Sequence, residues 1–168
     1  DENFFLELPN VQGAAFAGGS ASTRAQGTIL GDDGESRPAL FVNDAELVEG
    51  DQGERSAVFD IRLSRPLESS VSLPFETVGV SAEAGSDFTA RSGTVTFDPG
   101  QTQASVAVSV VGDTAVEATE EFDLVVDPSG IDLANGVEAA AGTATVLDDD
   151  AGGGTQPVLS VSDARQFE

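Results

Sequence analysis

From residue 103 to residue 110 large apolar side chains take every second position. Ala104, Val106, Val108 and Val110 interleave with Gln103, Ser105, Ala107 and Ser109. A period of two places alternate side chains on opposite faces of an extended strand, so one face is built for burial and the other for water. The pattern recurs along the chain. Phe59, Ile61 and Leu63 alternate with Asp60 and Arg62, and Val71, Leu73 and Phe75 with Ser72 and Pro74. Val95 and Phe97 alternate with Thr94 and Thr96; Phe122, Leu124 and Val126 follow, then Val146. No stretch carries the 3.6-residue stripe of an amphipathic helix.

The alternation predicts seven strands, at 39–48, 56–63, 70–76, 92–97, 103–111, 121–127 and 140–147. Pro74, which has no N–H to give to a ladder, predicts an edge strand or a bulge. "DPGQ" (98–101) reads as a Pro-Gly turn between two strands. Strand number, spacing and clean alternation indicate an all-β fold, a seven-stranded antiparallel β-sandwich of immunoglobulin-like type. Phe59, Phe75, Phe97 and Phe122 are expected in its core.

The chain also repeats itself. "PALFVNDAELVE" (38–49) aligns with "PVLSVSDARQFE" (157–168), "ENFFLEL" (2–8) with "EEFDLVV" (120–126), and "TILGDD" (28–33) with "TVLDDD" (145–150). The spacing, about 118 residues, is too long for a solenoid repeat and suits an array of whole domains. The expected organisation is one complete unit at 39–150. Residues 1–34 are read as the last part of a preceding unit and 157–168 as the first strand of a following one. Linkers are expected at 35–38 and at the Gly-rich 151–156. The chain thus reads as an excerpt of a longer array. Its partial units predict completion by adjacent like repeats, in the same or a neighbouring chain, up to a homopolymer formed by strand exchange.

Composition narrows the function classes. The formal net charge is −23, from 30 acidic residues against 7 basic ones, all Arg. Such a surface repels nucleic acid and anionic membranes and attracts cations. No run of apolar residues is long enough for a transmembrane helix, so no direct membrane insertion is expected. Cys, His, Tyr, Trp, Met and Lys are all absent. That removes thiolate and imidazole metal sites, Ser–His pairs and Schiff-base lysines, leaving only carboxylate pairs for acid–base work. A non-enzymatic role is expected.

Strand direction sorts the acids between the two ends of the sandwich. Successive antiparallel strands bring Glu49, Asp51, Glu54, Glu76, Glu83, Asp87, Asp113, Glu117, Glu120, Glu121, Asp148, Asp149 and Asp150 to one pole. The opposite pole receives Glu68, Asp98, Asp127 and Asp132. Carboxylates converging from separate loops repel one another unless a cation lies between them. Ca²⁺ takes six to eight hard oxygens, whereas Mg²⁺ keeps more of its water. No EF-hand loop is present, so a calcium site here would be discontinuous.

Four landmarks stand in the unit: "VEGD" (48–51), "AGSDFTARSGTVTFDPGQT" (84–102), "VVGDTAVEATEEF" (110–122) and "TVLDDD" (145–150). Together they resemble the Calx-beta domain, known from sodium–calcium exchangers and common in large bacterial surface proteins. The resemblance implies Ca²⁺ as the bound ion, held at the acidic pole. Carried over motif by motif, it implies Glu49, Asp113, Glu117, Glu120, Asp148, Asp149 and Asp150 as metal ligands. Asp32 and Asp33 of the flanking partial unit are weaker matches, since Gly31 replaces the first Asp of that triplet. Gly79 stands where many family members carry a ligand Asp, with Glu76 or Glu83 as potential substitutes, and Asp87 is read as a turn former.

The function implied is a calcium-binding repeat of an extracellular or cell-surface adhesive or structural protein, the ion stiffening the joint to the next domain. The alternatives are a subunit of a strand-exchanged filament, a Ca²⁺-sensing regulatory domain, and a glycan-binding or glycan-acting module. The poverty in aromatic residues argues against the last.

Overall fold

The computed structural model of the protein describes residues 2–9, 15–16, 22–30, 37–150, 158–159 and 164–167, among which there is no helix. The strands are β1 (Glu2–Pro9), β2 (Ala15–Phe16), β3 (Ser22–Leu30), β4 (Leu40–Val42), β5 (Ala45–Val48), β6 (Gly53–Leu63), β7 (Val71–Gly79), β8 (Ser92–Phe97), β9 (Gln103–Gly112), β10 (Glu120–Val126), β11 (Ala140–Leu147), β12 (Val158–Leu159) and β13 (Ala164–Phe167).

Residues 37–150 build a sandwich of a five-stranded sheet, order β5-β11-β10-β7-β8, and a three-stranded sheet, order β4-β6-β9. The alternating apolar residues face inward from both sheets. Phe59, Ile61 and Leu63 on β6 and Val106, Val108 and Val110 on β9 meet Leu73 and Phe75 on β7, Val95 and Phe97 on β8, and Phe122, Leu124 and Val126 on β10, none more than 8% exposed. Burial of each such side chain contributes about 1.5–3 kcal/mol, which sets the register of every strand. The expected core phenylalanines are all there. Phe88 joins them at 0% exposure, stacked on Phe122 with ring centroids 4.3 Å apart, while Phe59 meets Phe122 edge-on at 5.9 Å.

The first predicted strand differs in the structure. Residues 39–48 form two short strands that serve different sheets: β4 pairs antiparallel with β6, and β5 pairs parallel with β11. The switch falls at Asn43 and Asp44. Asn43 N–H donates to Asp60 O at 2.9 Å, and Asp44 Oδ1 accepts from Thr143 N–H at 2.8 Å. Gly142 permits the crossing, because a Cβ there would lie 2.5 Å from Asn43 O. A single alternating run therefore hides a corner that is fixed by a glycine a hundred residues away in sequence.

Pro74 also departs from expectation. It lies on β7, which is flanked by β10 and β8 rather than placed at an edge. Its carbonyl accepts from Asp127 N–H, one residue past the last β10–β7 pair, Val126↔Phe75. N–H and C=O of one strand residue point the same way, so the missing donor faces the space beyond the end of β10. The proline thus lies just past the last β10–β7 pair while staying in register with Thr94 of β8 on its other side. The "DPGQ" turn forms as read, with Gln101 N–H donating to Asp98 O at 2.9 Å and Gly100 at φ 85°.

The two ends of the chain meet in a second assembly. β1, β3 and β13 form a three-stranded sheet in that order, and β12 pairs with β2. Its register reproduces that of the complete unit. Phe4↔Gly27 and Ala164↔Gly27 occupy the places of Phe122↔Ala144 and Ala45↔Ala144. The partial repeats thus pair with each other within one chain. The linker at 151–156 and residues 35–36 of that at 35–38 lie outside the described residues.

Candidate metal centre

The ends of five strands converge at the acidic pole. Val48 closes β5 opposite Leu147 at the end of β11, Gly112 closes β9 opposite Gly53, and Glu120 opens β10 opposite Val146. The approach is close because glycine permits it: a Cβ on Gly112 would lie 2.0 Å from Gly50 O and 2.7 Å from Glu49 O. The exit of β11 is tied to the same corner. Glu49 N–H donates to Leu147 O at 3.1 Å, and Gly50 N–H donates to Asp149 Oδ1 at 2.9 Å.

Glu49, Asp148 and Asp150 each bring a carboxylate oxygen within 4.8 Å of the others, and so do Asp87, Glu117 and Glu120. Loop hydrogen bonds hold the members in place. Asp148 accepts from Glu117 N–H at 3.2 Å through Oδ2 and from Asp150 N–H at 2.9 Å through Oδ1, which links the two groups. Asp87 Oδ2 accepts from Glu83 N–H at 2.6 Å.

Glu49 is the member most removed from water. It is 4% exposed, and its Oε1 is buried with no hydrogen-bond partner among the described residues; Asp150 Oδ2 is in the same position. A buried carboxylate without a donor or counter-charge is costly. No ion pair joins any Arg to these acids among the described residues, and Arg55, folded under Gly50, donates to Val48 O at 3.1 Å. The acids respond as an uncompensated cluster must. Burial first, then the charges of Glu117, Asp148, Asp113 and Asp150, push the Glu49 carboxyl up to about 7. Burial, a hydrogen bond with Asp87 and the Asp87 charge push Glu120 up to about 7. Glu117 and Asp150 are raised too, by partial desolvation and by the neighbouring carboxylates.

Of the residues singled out in the sequence, Glu49, Glu117, Glu120, Asp148 and Asp150 are brought into the two groups. Asp113 and Asp149 are at the pole but outside both; Asp113 turns its Oδ1 onto Ala115 N–H at 2.6 Å, and Asp149 is spent on Gly50. Asp32 and Asp33 lie outside the described residues. Glu76 and Glu83 do not join either group, so neither replaces the acid missing at Gly79. That glycine is itself required, since a Cβ would lie 2.5 Å from Ala82 O.

Asp87 is the residue that sequence reasoning missed. It forms the expected turn and also joins Glu117 and Glu120. The signal lay in its neighbour Phe88. An aromatic residue after "GSD" enters the core, and the segment then zips onto β9, with Val111 N–H donating to Asp87 O and Thr89 N–H to Ser109 O, both at 2.8 Å. This carries Asp87 to the pole at 9% exposure.

Residues 32–151, more than half of the chain, match the Calx-beta domain family. The chain is 33% identical over 123 residues to sodium/calcium exchanger 1 of Canis lupus familiaris and equally to that of Rattus norvegicus. Either alignment covers 62% of this chain and 13% of the exchanger, so the chain corresponds to a small part of those proteins. Among solved structures, the apo-form Calx CBD1 domain shares the fold at TM-score 0.54 and 25% identity, over 68% of this chain and 100% of that one. The calcium binding domain CBD12 of CALX1.1 does so at TM-score 0.52 and 26% identity, over 66% and 44%. A bacterial surface setting has no counterpart in these relatives.

Proposed function

The chain belongs to the Calx-beta family, and from that premise we propose that its acidic pole binds Ca²⁺. The observation that carries the reading is Glu49: a carboxyl 4% exposed, with an unpartnered buried oxygen, set among Asp148 and Asp150. A divalent cation there turns three mutually repelling groups into ligands. The ligand chemistry, carboxylate oxygens supplied by segments far apart in sequence, suits Ca²⁺ better than Mg²⁺, which demands tighter octahedral geometry and keeps its water. Glu49, Asp148 and Asp150 are the core ligands. Asp87, Glu117 and Glu120 extend the site, with Asp113 and Asp149 positioning the loops.

The mechanical consequence follows from connectivity. The ion would join the end of β5, the 113–119 loop and the exit of β11, immediately before the Gly-rich stretch 151–156. We therefore read the domain as a non-catalytic repeat whose joint to its neighbour stiffens when Ca²⁺ is bound, in an extracellular array. Gly-rich linkers swing freely unless tied. A regulatory reading is favoured instead by the match to sodium/calcium exchangers. Affinity separates the two, since extracellular modules bind in the range of about 10⁻⁴–10⁻³ M and sensors at about 10⁻⁷–10⁻⁵ M. Titration calorimetry of Ca²⁺ into the chain and into Glu49→Gln tests the site. Saturable binding that the substitution weakens at least tenfold is expected, and unchanged binding in the variant would remove Glu49 from the ligand set.

A further inference from the structure

The ladder between β7 and β10 ends at Gly79↔Phe122. One residue beyond it the chain wraps instead of pairing. Glu121 O accepts N–H bonds from Val80 at 3.0 Å and from Ser81 and Ala82 at 2.9 Å, and Glu121 N–H donates to Ser81 Oγ at 2.8 Å. Three successive N–H groups converging on one oxygen form a concave nest, and the Ser81 hydroxyl takes up the other polar group of the same residue. The turn starts at Gly79, where a Cβ would lie 2.5 Å from Ala82 O, and it ends on Ala82, buried in the core at 4% exposure. Residue 121 is therefore held through both its N–H and its carbonyl by a single loop.

That loop and that strand each carry an acid of the metal centre. Glu120 directly precedes the clamped residue. Asp87 follows Ala82 through a closed turn: Glu83 N–H donates to Asp87 Oδ2 at 2.6 Å, and Asp87 N–H donates to Glu83 O at 3.0 Å. The Asp87 and Glu120 carboxylates bring oxygens within 4.8 Å of each other and of Glu117. We infer that Ser81 is a positioning residue for this group: through Glu121 N–H it fixes the 79–87 loop against the start of β10 and so sets the spacing of Asp87 and Glu120. The inference rests on the calcium reading above and adds to it a residue with no carboxylate of its own. Ser81 is exposed, so water can satisfy Glu121 N–H when the hydroxyl is removed, and folded stability should depend on it little. Geometry is what water does not replace. A cation site needs its oxygens held to within about 0.5 Å, and the groups behind the ligands do the holding. Ser81 does so between two segments whose bonded residues are 40 apart in sequence.

Titration calorimetry of Ca²⁺ into residues 1–168 tests it. Ser81→Ala should weaken binding about threefold to tenfold, the worth of one net hydrogen bond. Ser81→Thr, which keeps the hydroxyl, should restore it. Ser72→Ala is the control, because it deletes a comparable exposed bond, Ser72 Oγ with Thr96 Oγ1 at 2.8 Å, at the far end of β7. The two alanine variants should melt alike in EDTA, and only Ser81→Ala should lose affinity. The loss should vanish in a Glu120→Ala background, where the spacing to Glu120 no longer matters, and persist in Glu49→Gln. Unchanged affinity in Ser81→Ala overturns the inference and leaves the calcium reading standing. So does a loss that threonine fails to restore, or one that adds in full to Glu120→Ala. A wild-type chain that binds no Ca²⁺ overturns both.

Discussion

Phe88 stacks on Phe122 with ring planes 13° apart, and the acids beside this pair, Asp87 and Glu120, bring carboxylate oxygens within 4.8 Å of each other. One side of the metal centre therefore rests on the hydrophobic core. A segment with no strand of its own is drawn inward by one aromatic ring, and its aspartate is delivered to the pole. Phe88→Ala should cost about 3–5 kcal/mol, as for other fully buried phenylalanines. It should also weaken Ca²⁺ binding, which denaturant melts with and without the ion will show.

Glu49→Gln separates stability from binding. The amide keeps the shape, removes a charge from a same-sign cluster and supplies an N–H for an acceptor such as Asp150 Oδ2. Without Ca²⁺ at alkaline pH the variant should be more stable than the parent by about 1 kcal/mol, or roughly 2–4 °C in midpoint. With Ca²⁺ the order should reverse. Scanning calorimetry under both conditions reads this directly.

The pH dependence has a definite sign. Glu49 and Glu120 titrate near 7 in the folded protein and near 4.5 when exposed. Between these values the folded state binds more protons than the unfolded chain, so stability falls as pH rises. This contribution is fully present below about pH 4.5 and lost as pH rises through about 7. In EDTA the melting midpoint should therefore drop from mildly acidic to mildly alkaline pH. Ca²⁺ displaces the same protons, so its stabilisation should grow over that interval. Calorimetry near neutral pH in buffers of different ionisation enthalpy should show proton release on Ca²⁺ binding.

Gly112→Ala tests the close approach of the strand ends. The added Cβ would fall 2.0 Å from Gly50 O, so the 49–50 corner must move away from β9. The substitution should destabilise the apo protein by about 1–3 kcal/mol, as overpacking does. It should also weaken Ca²⁺ binding, since Glu49 moves with its backbone. Gly53→Ala, where no atom lies within 4 Å but φ is 82°, should disturb only local stability.

Much of this was legible in the residues. Alternation placed every long strand to within about three residues, because a shift of one position would turn Phe59 or Val108 out to water. Strand direction alone gathers Glu49, Glu117 and Asp148 at one end. What alternation could not show was long-range geometry. The corner at Asn43 depends on Gly142, the tolerance for Pro74 depends on where β10 stops, and Asp87 reaches the pole because Phe88 is drawn into the core. The split of the acids into two groups likewise depends on loop hydrogen bonds such as Asp148 to Glu117 N–H, which have no sequence signature.

The most direct measurement is the thermal midpoint of residues 1–168 at mildly alkaline pH, in millimolar Ca²⁺ and again in EDTA. Ligand present at ten times its dissociation constant adds about 1.4 kcal/mol to the folded state. The midpoint should therefore rise by several degrees with Ca²⁺, and Asp148→Ala with Asp150→Ala should abolish the rise. Identical midpoints in Ca²⁺ and EDTA would contradict calcium binding at this pole, and a rise that survives the double substitution would contradict its assignment to these residues.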